Sequence, residues 1–150
     1  MISVTLDTTV LIKGIIPPRR QKKDPIYKEQ LRLHSLAKSI LRNVENRKTE
    51  MNIPAISLIE VASVGARLTG KDKRGIQASD YVREHGNIIY DMFLLNDAIR
   101  IAARTKSSGF DTIFIACAKL TDSTLITDDK KMYEAAIKTG VTAKLLRNIK

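Results

Sequence analysis

A chain of 150 residues with a formal charge of +10 and 43% hydrophobic residues is long enough for one packed domain and too apolar to stay disordered. No apolar run approaches the roughly 18 residues of a membrane span, and no charged segment leads into an apolar stretch with a small-residue cleavage site. A single domain over residues 1–150, in the cytoplasm and without membrane contact, is therefore expected, and the lone Cys117 in TIFIACAKL reads as a packing residue.

ISVTLD opens as a β-branched strand that ends on Asp7, a carboxylate with apolar neighbours on both sides. Residues 8–23 contain no acid, and Lys13, Arg19, Arg20, Lys22 and Lys23 gather around Pro17 and Pro18 in KGIIPPRRQKK. An exposed basic loop of this kind suits phosphate contact or simple solvation. Trp is absent and Tyr and Phe are scattered, so no aromatic platform for base stacking is expected. Next, Leu33, Leu36, Ala37, Ile40, Leu41 and Val44 recur at helical spacing, predicting a helix over residues 25–47. MNIPAI reads as a second strand, SLIEVASVGARL as a helix, TGKDKRG as a break, residues 76–83 as a short helix and NIIYDM as a third strand. A helix over residues 96–105 follows, then the buried helix FDTIFIACAKL, a fourth strand STLITD, a helix KKMYEAAIKTG ended by Gly140, and VTAKLL as an edge strand. Strands separated by helices predict an α/β fold with a central, mostly parallel sheet covered by helices.

On that map the acids fall where strands end or helices begin. Asp7 closes the first strand, Glu60 lies just inside the helix after the second, Asp111 opens the FDTIFIACAKL helix, and Asp128 and Asp129 follow STLIT. The carboxyl ends of parallel strands form the crevice in which such folds bind ligands. Each helix-start acid also has a local explanation: Ser57 and Glu60 match a capping box, Asp111 can cap its helix, and Asp128 or Asp129 suits the positive end of the next one. Asp7, inside an apolar run, fits a cap least. A carboxylate group without histidine or cysteine suits Mg²⁺ or Mn²⁺, which relieve its mutual repulsion and serve phosphodiester chemistry. His34 and His85 lack partner motifs and read as surface or packing residues.

In order along the chain, VTLDTTVLI, ISLIEVAS, GFDTIFIACAKL and STLITDDKKMYEAA resemble the acidic motifs of PIN-domain ribonucleases, and of VapC-type toxins in particular. The resemblance implies a three-layer α/β/α PIN-like fold and Mg²⁺- or Mn²⁺-dependent endoribonuclease activity. By the same resemblance Asp7, Glu60, Asp111 and Asp129 correspond to the metal-binding carboxylates, with Asp128 able to assist or substitute, and Thr8 and Thr127 to residues that orient them. It further implies RNA as substrate, a VapB-type antitoxin as partner and a homodimer. Residues 15–31 form a longer connection than the resemblance leads one to expect. Three other functions stay open: a noncatalytic PIN-like module binding RNA or protein, a housekeeping RNA-processing nuclease, and a phosphatase acting on small molecules.

Overall fold

Asp7 ends one element and begins the next without a connecting loop. In the computed structural model, which describes residues 1–150, β1 (Ile2–Leu6) runs straight into α1 (Thr8–Ile15), followed by α2 (Pro25–Glu45), β2 (Thr49–Pro54), α3 (Ile56–Thr69) and α4 (Asp72–His85). The remaining elements are β3 (Asn87–Ile89), α5 (Asp91–Thr105), α6 (Gly109–Leu120), β4 (Thr124–Thr127), α7 (Lys130–Lys138), β5 (Ala143–Leu145) and a 3₁₀ turn at Leu146–Asn148. The five strands pair in the order β3-β2-β1-β4-β5, and every pairing is parallel, so the expected mostly parallel sheet is wholly so.

Two cores sandwich this sheet. Val10, Leu11, Leu33, Ala37, Val61 and Val82 from α1–α4 pack with β1 and β2 in one, while Leu94, Ile101, Phe114, Leu125 and Ala136 fill the other beneath α5–α7. The result is the expected three-layer α/β/α arrangement. Connections leaving β1 lead to β2 and β3 on one side, whereas β4 leads to β5 on the other. The order thus reverses between β1 and β4, and the helical layers part at their carboxyl ends. No helix is long and apolar enough to cross a membrane.

Several boundaries differ from the sequence reading. Helix α1 covers the apolar run VLI, to which the sequence reading assigns no element: Asp7 accepts a hydrogen bond from the Val10 amide and so caps it. NIIYDM pairs only as far as Ile89, because Asp91 opens α5 five residues before the expected start at residue 96. The short helix at 76–83 spans Asp72–His85, which shrinks the TGKDKRG break to Gly70 and Lys71, with Gly70 at φ 70° ending α3.

Helices α3 and α4 approach through glycine. A methyl group on Gly75 would stand 2.2 Å from the Ala62 carbonyl oxygen and 2.8 Å from the Ala66 nitrogen. Alanine ordinarily gains about 1 kcal/mol over glycine in a helix, but here overpacking costs about 1–3 kcal/mol and reverses the sign. Gly75→Ala is expected to lower the melting temperature by about 2 °C or more, as measured by circular dichroism. An unchanged or raised value would show that the two helices separate freely.

Candidate active site

The carboxyl ends of β1 and β4 meet through one hydroxyl. Thr127 donates to Asp7 Oδ2 at 2.5 Å and accepts from the Asp129 amide at 3.0 Å. Asp7 Oδ1 accepts from the Val10 amide at 2.9 Å and from the Thr9 hydroxyl at 2.8 Å. Asp7 is 1% exposed, and burial pushes its carboxyl up despite the hydrogen bonds from Thr127, Val10 and Thr9 and the charge of Lys13. With two donors on Oδ1 and one on Oδ2, a lone pair on Oδ2 remains open. Asp7 is therefore a helix cap after all, with acceptor capacity to spare.

Asp111 sits in the first turn of α6, not at its cap. Ser108 is the cap residue, its hydroxyl accepting from the Asp111 amide at 3.2 Å. Burial raises the Asp111 carboxyl, the charge of Asp129 raises it further, and Ser108 and Lys131 pull the other way. Asp129 caps α7, accepting from the Lys131 and Met132 amides at 2.8 and 3.2 Å. Asp128, by contrast, is committed elsewhere: its carboxylate meets Arg147 Nε at 3.0 Å and Lys13 Nζ at 3.5 Å. Of the two neighbours, Asp129 is the one that acts on Asp111.

Glu60 is not part of a capping box. Helix α3 begins after Ala55 without a side-chain cap, so Ser57 lies inside the first turn and meets the Thr8 hydroxyl at 3.4 Å. Glu60 is half-buried, makes no hydrogen bond or ion pair, and lines a cavity of about 550 Å³ with Thr8, Thr9, Lys13, Arg19 and Arg67. Thr8 thus supports Ser57 and not a carboxylate, whereas Thr9, which the sequence reading passed over, holds Asp7. The pattern D-x-T at a helix start was the available signal.

The basic residues divide as well. Lys13 lies on α1, not in a loop, and pairs with Asp128; Arg20 pairs with Asp24 at 2.5 Å, holding the Asp24 carboxyl down to about 2. Arg19, Lys22 and Lys23 make no ion pair. His34 and His85 each turn Nδ1 to a backbone carbonyl, of Lys13 and Tyr81 respectively, as expected of packing residues. Cys117 is fully buried in α6, its thiol pushed up to about 11 by burial.

No three Asp, Glu, His or Cys side chains come close enough together to enclose a metal ion. The donor chemistry nevertheless fits a hard cation. Mg²⁺ is typically held by one or two carboxylates with waters and substrate phosphates completing its shell, rather than by an all-protein cage. Asp111, raised by burial and by the charge of Asp129, and Asp7, buried with a lone pair open, are carboxyls whose ionised forms such a charge would favour.

A family model for the PIN domain matches residues 4–138. No curated protein matches the sequence. Among solved structures, the chain is similar to a toxin–antitoxin complex from Klebsiella pneumoniae, with 24% identity over 87% of this chain and 89% of that one and a TM-score of 0.58. It is similar also to VapBC-1 from nontypeable Haemophilus influenzae, with 16% identity, 97% and 98% coverage and a TM-score of 0.64. VapBC2 from Rickettsia felis, bound to a promoter DNA fragment, gives 15% identity, 96% and 98% coverage and a TM-score of 0.60. At these identities the likeness is one of fold.

The Asp7 environment separates charge from shape. Raised above its unfolded value, its carboxyl favours the fold while protonated, and that stability is lost as pH rises through the folded value. Asparagine caps helices as well as aspartate and removes the buried charge, whereas alanine loses the cap at a cost of about 0.5–2 kcal/mol. At pH 7 with chelator present, Asp7→Asn is expected to melt at or above the wild-type temperature and Asp7→Ala clearly below it. Equal losses for both variants would make the charge a structural requirement.

Proposed function

Because this chain belongs to the PIN-domain family, we propose that it is a Mg²⁺- or Mn²⁺-dependent endoribonuclease, acting in the cytoplasm as the toxin of a VapBC-type toxin–antitoxin pair. PIN domains are generally nucleases. The observation that carries the reading is the convergence of the Asp7 carboxylate and the Asp129 amide on the Thr127 hydroxyl at the β1/β4 reversal, with the charge of Asp129 in turn raising the Asp111 carboxyl. Asp7, Glu60, Asp111 and Asp129 are the residues that would hold the cation.

When bound, a divalent cation there lowers the pKa of water and offsets the charge that builds on phosphate oxygens during in-line displacement. The chain's own groups do the positioning. Thr127 and Thr9 lock the Asp7 carboxylate against rotation, so its remaining lone pair has one direction. Asp129 is held by the Lys131 and Met132 amides at the α7 N-terminus, and Lys131 places a positive charge near Asp111. Hydrolysis adds water across one P–O bond of the backbone, and the carboxylates orient the reactants without donating protons.

A VapB-type antitoxin is the partner this reading carries, supported by the toxin–antitoxin and VapBC complexes among the fold's neighbours. A homodimer is supported by α5, which leaves Met92, Phe93, Leu95 and Ile99 exposed beside Tyr90.

Purified protein given single-stranded RNA and Mn²⁺ is expected to cleave it, and to stop when the metal is chelated. Asp111→Asn and Asp129→Asn are expected to be slower by more than about a hundredfold, while Asp128→Asn stays within about tenfold of wild type. The same preparation is expected to sediment as a dimer. Folded wild-type protein that cleaves nothing, or Asp111→Asn cleaving at the wild-type rate, would favour the binding module.

A further inference from the structure

The unpaired cations are not scattered evenly. A second cavity, of about 400 Å³, lies between the end of α1 and the helices α3 and α4, and Arg19, Lys71, Arg74 and Gln77 line it. No Asp or Glu does. None of the three cations makes an ion pair, in contrast to Lys13, Arg20, Arg32 and Arg147, each of which is held by a carboxylate. Helix α4 starts at this rim, where Lys71 gives no side-chain cap and Asp72 in the first turn offsets the positive helix end, so the cavity's charge comes from its side chains. Three uncompensated charges around one concavity repel one another unless an anion joins them, and guanidinium groups match phosphate oxygens in pairs.

Continuity selects the kind of phosphate. Ile16, Pro17 and Arg19 line both this cavity and the larger one that contains Glu60, and Arg67, also unpaired, lies in the larger one. A positive track therefore leads from Glu60 past Arg67 and Arg19 to Lys71 and Arg74, along a path that a strand follows and a single free anion would not need. We propose that the cavity closed by Arg19, Lys71, Arg74 and Gln77 is a phosphate-binding subsite for the RNA strand, gripping a backbone phosphate away from the bond cut at the acids. The proposal rests on the nuclease reading for the position of that bond and on the cavity itself for the grip. It moves the main backbone contact from the loop residues Arg20, Lys22 and Lys23 to the start of α4.

Fluorescence anisotropy tests this with labelled oligoribonucleotides of about 4 and about 12 nucleotides in chelator, comparing wild type with a Lys71→Ala, Arg74→Ala double variant. The longer strand is expected to bind the variant about tenfold or more weakly, with the slope of log affinity against log salt reduced by about 1.4 for two lost contacts. The shorter strand is expected to bind both proteins alike, and matching melting curves establish that the variant folds. Equal binding of the longer strand, or equal losses at both lengths, overturns the subsite. Pyrophosphate that raises the wild-type melting temperature through Lys71 and Arg74, while neither oligonucleotide binds, overturns the RNA strand as its source. Length-dependent binding lost in the variant, from a wild type that cleaves no RNA, supports the subsite and defeats the nuclease reading alone.

Discussion

The hydroxyl of Thr127 joins two strands that are 120 residues apart in sequence, and the candidate site depends on that bond. By donating to Asp7 and accepting from the Asp129 amide, it ties the end of β1 to the end of β4 at the point where the sheet reverses its winding. The consequence is energetic as well as geometric. A carboxylate almost excluded from water is costly to ionise, and the hydrogen bonds around Asp7 only partly offset that cost. Such a group is tolerated where a cation can complete its environment, which links the stability of the fold to the chemistry of the site.

The two helical layers divide the work around this junction. On one side α1 and α3 carry Thr9, Glu60 and Arg67 along a cavity that continues to the start of α4. On the other, α6 and α7 bring Asp111 beside Asp129, with Lys131 close enough to act on Asp111. Asp7 and Asp129 meet at the ends of β1 and β4, while the unpaired Arg19, Arg67, Lys71 and Arg74 line the two joined cavities, so under the proposed function an RNA strand would meet its attraction away from the acids. Ion pairing sharpens the division by neutralising Lys13 and Asp128 against each other.

Much of this was legible in the sequence because it follows local rules. The alternation of β-branched runs with helical periodicity placed five strands within a residue or three, and acids at strand ends pointed to the sheet edge. Asp129 was separable from Asp128 only in three dimensions, since Arg147 and Lys13 come from distant parts of the chain to claim Asp128. Helix α1 escaped because Val10, Leu11 and Ile12 are buried on a short helix whose propensities favour a strand. The alternative of a Ser57–Glu60 capping box fails because α3 starts at Ile56, directly after Ala55, placing Ser57 within its first turn. Which cations remain free was likewise invisible, because pairing is decided by tertiary contact.

Calorimetric titration of Mn²⁺ tests the central claim that the acids of the β1/β4 reversal form one cation site. Saturable binding by wild type is expected, retained in Asp128→Asn and weakened by about tenfold or more in Asp111→Asn and in Asp7→Asn. Equal affinity in wild type and Asp111→Asn, or no binding by folded wild-type protein, would contradict it, leaving Asp7 and Asp129 as helix caps and Asp111 as a first-turn acid.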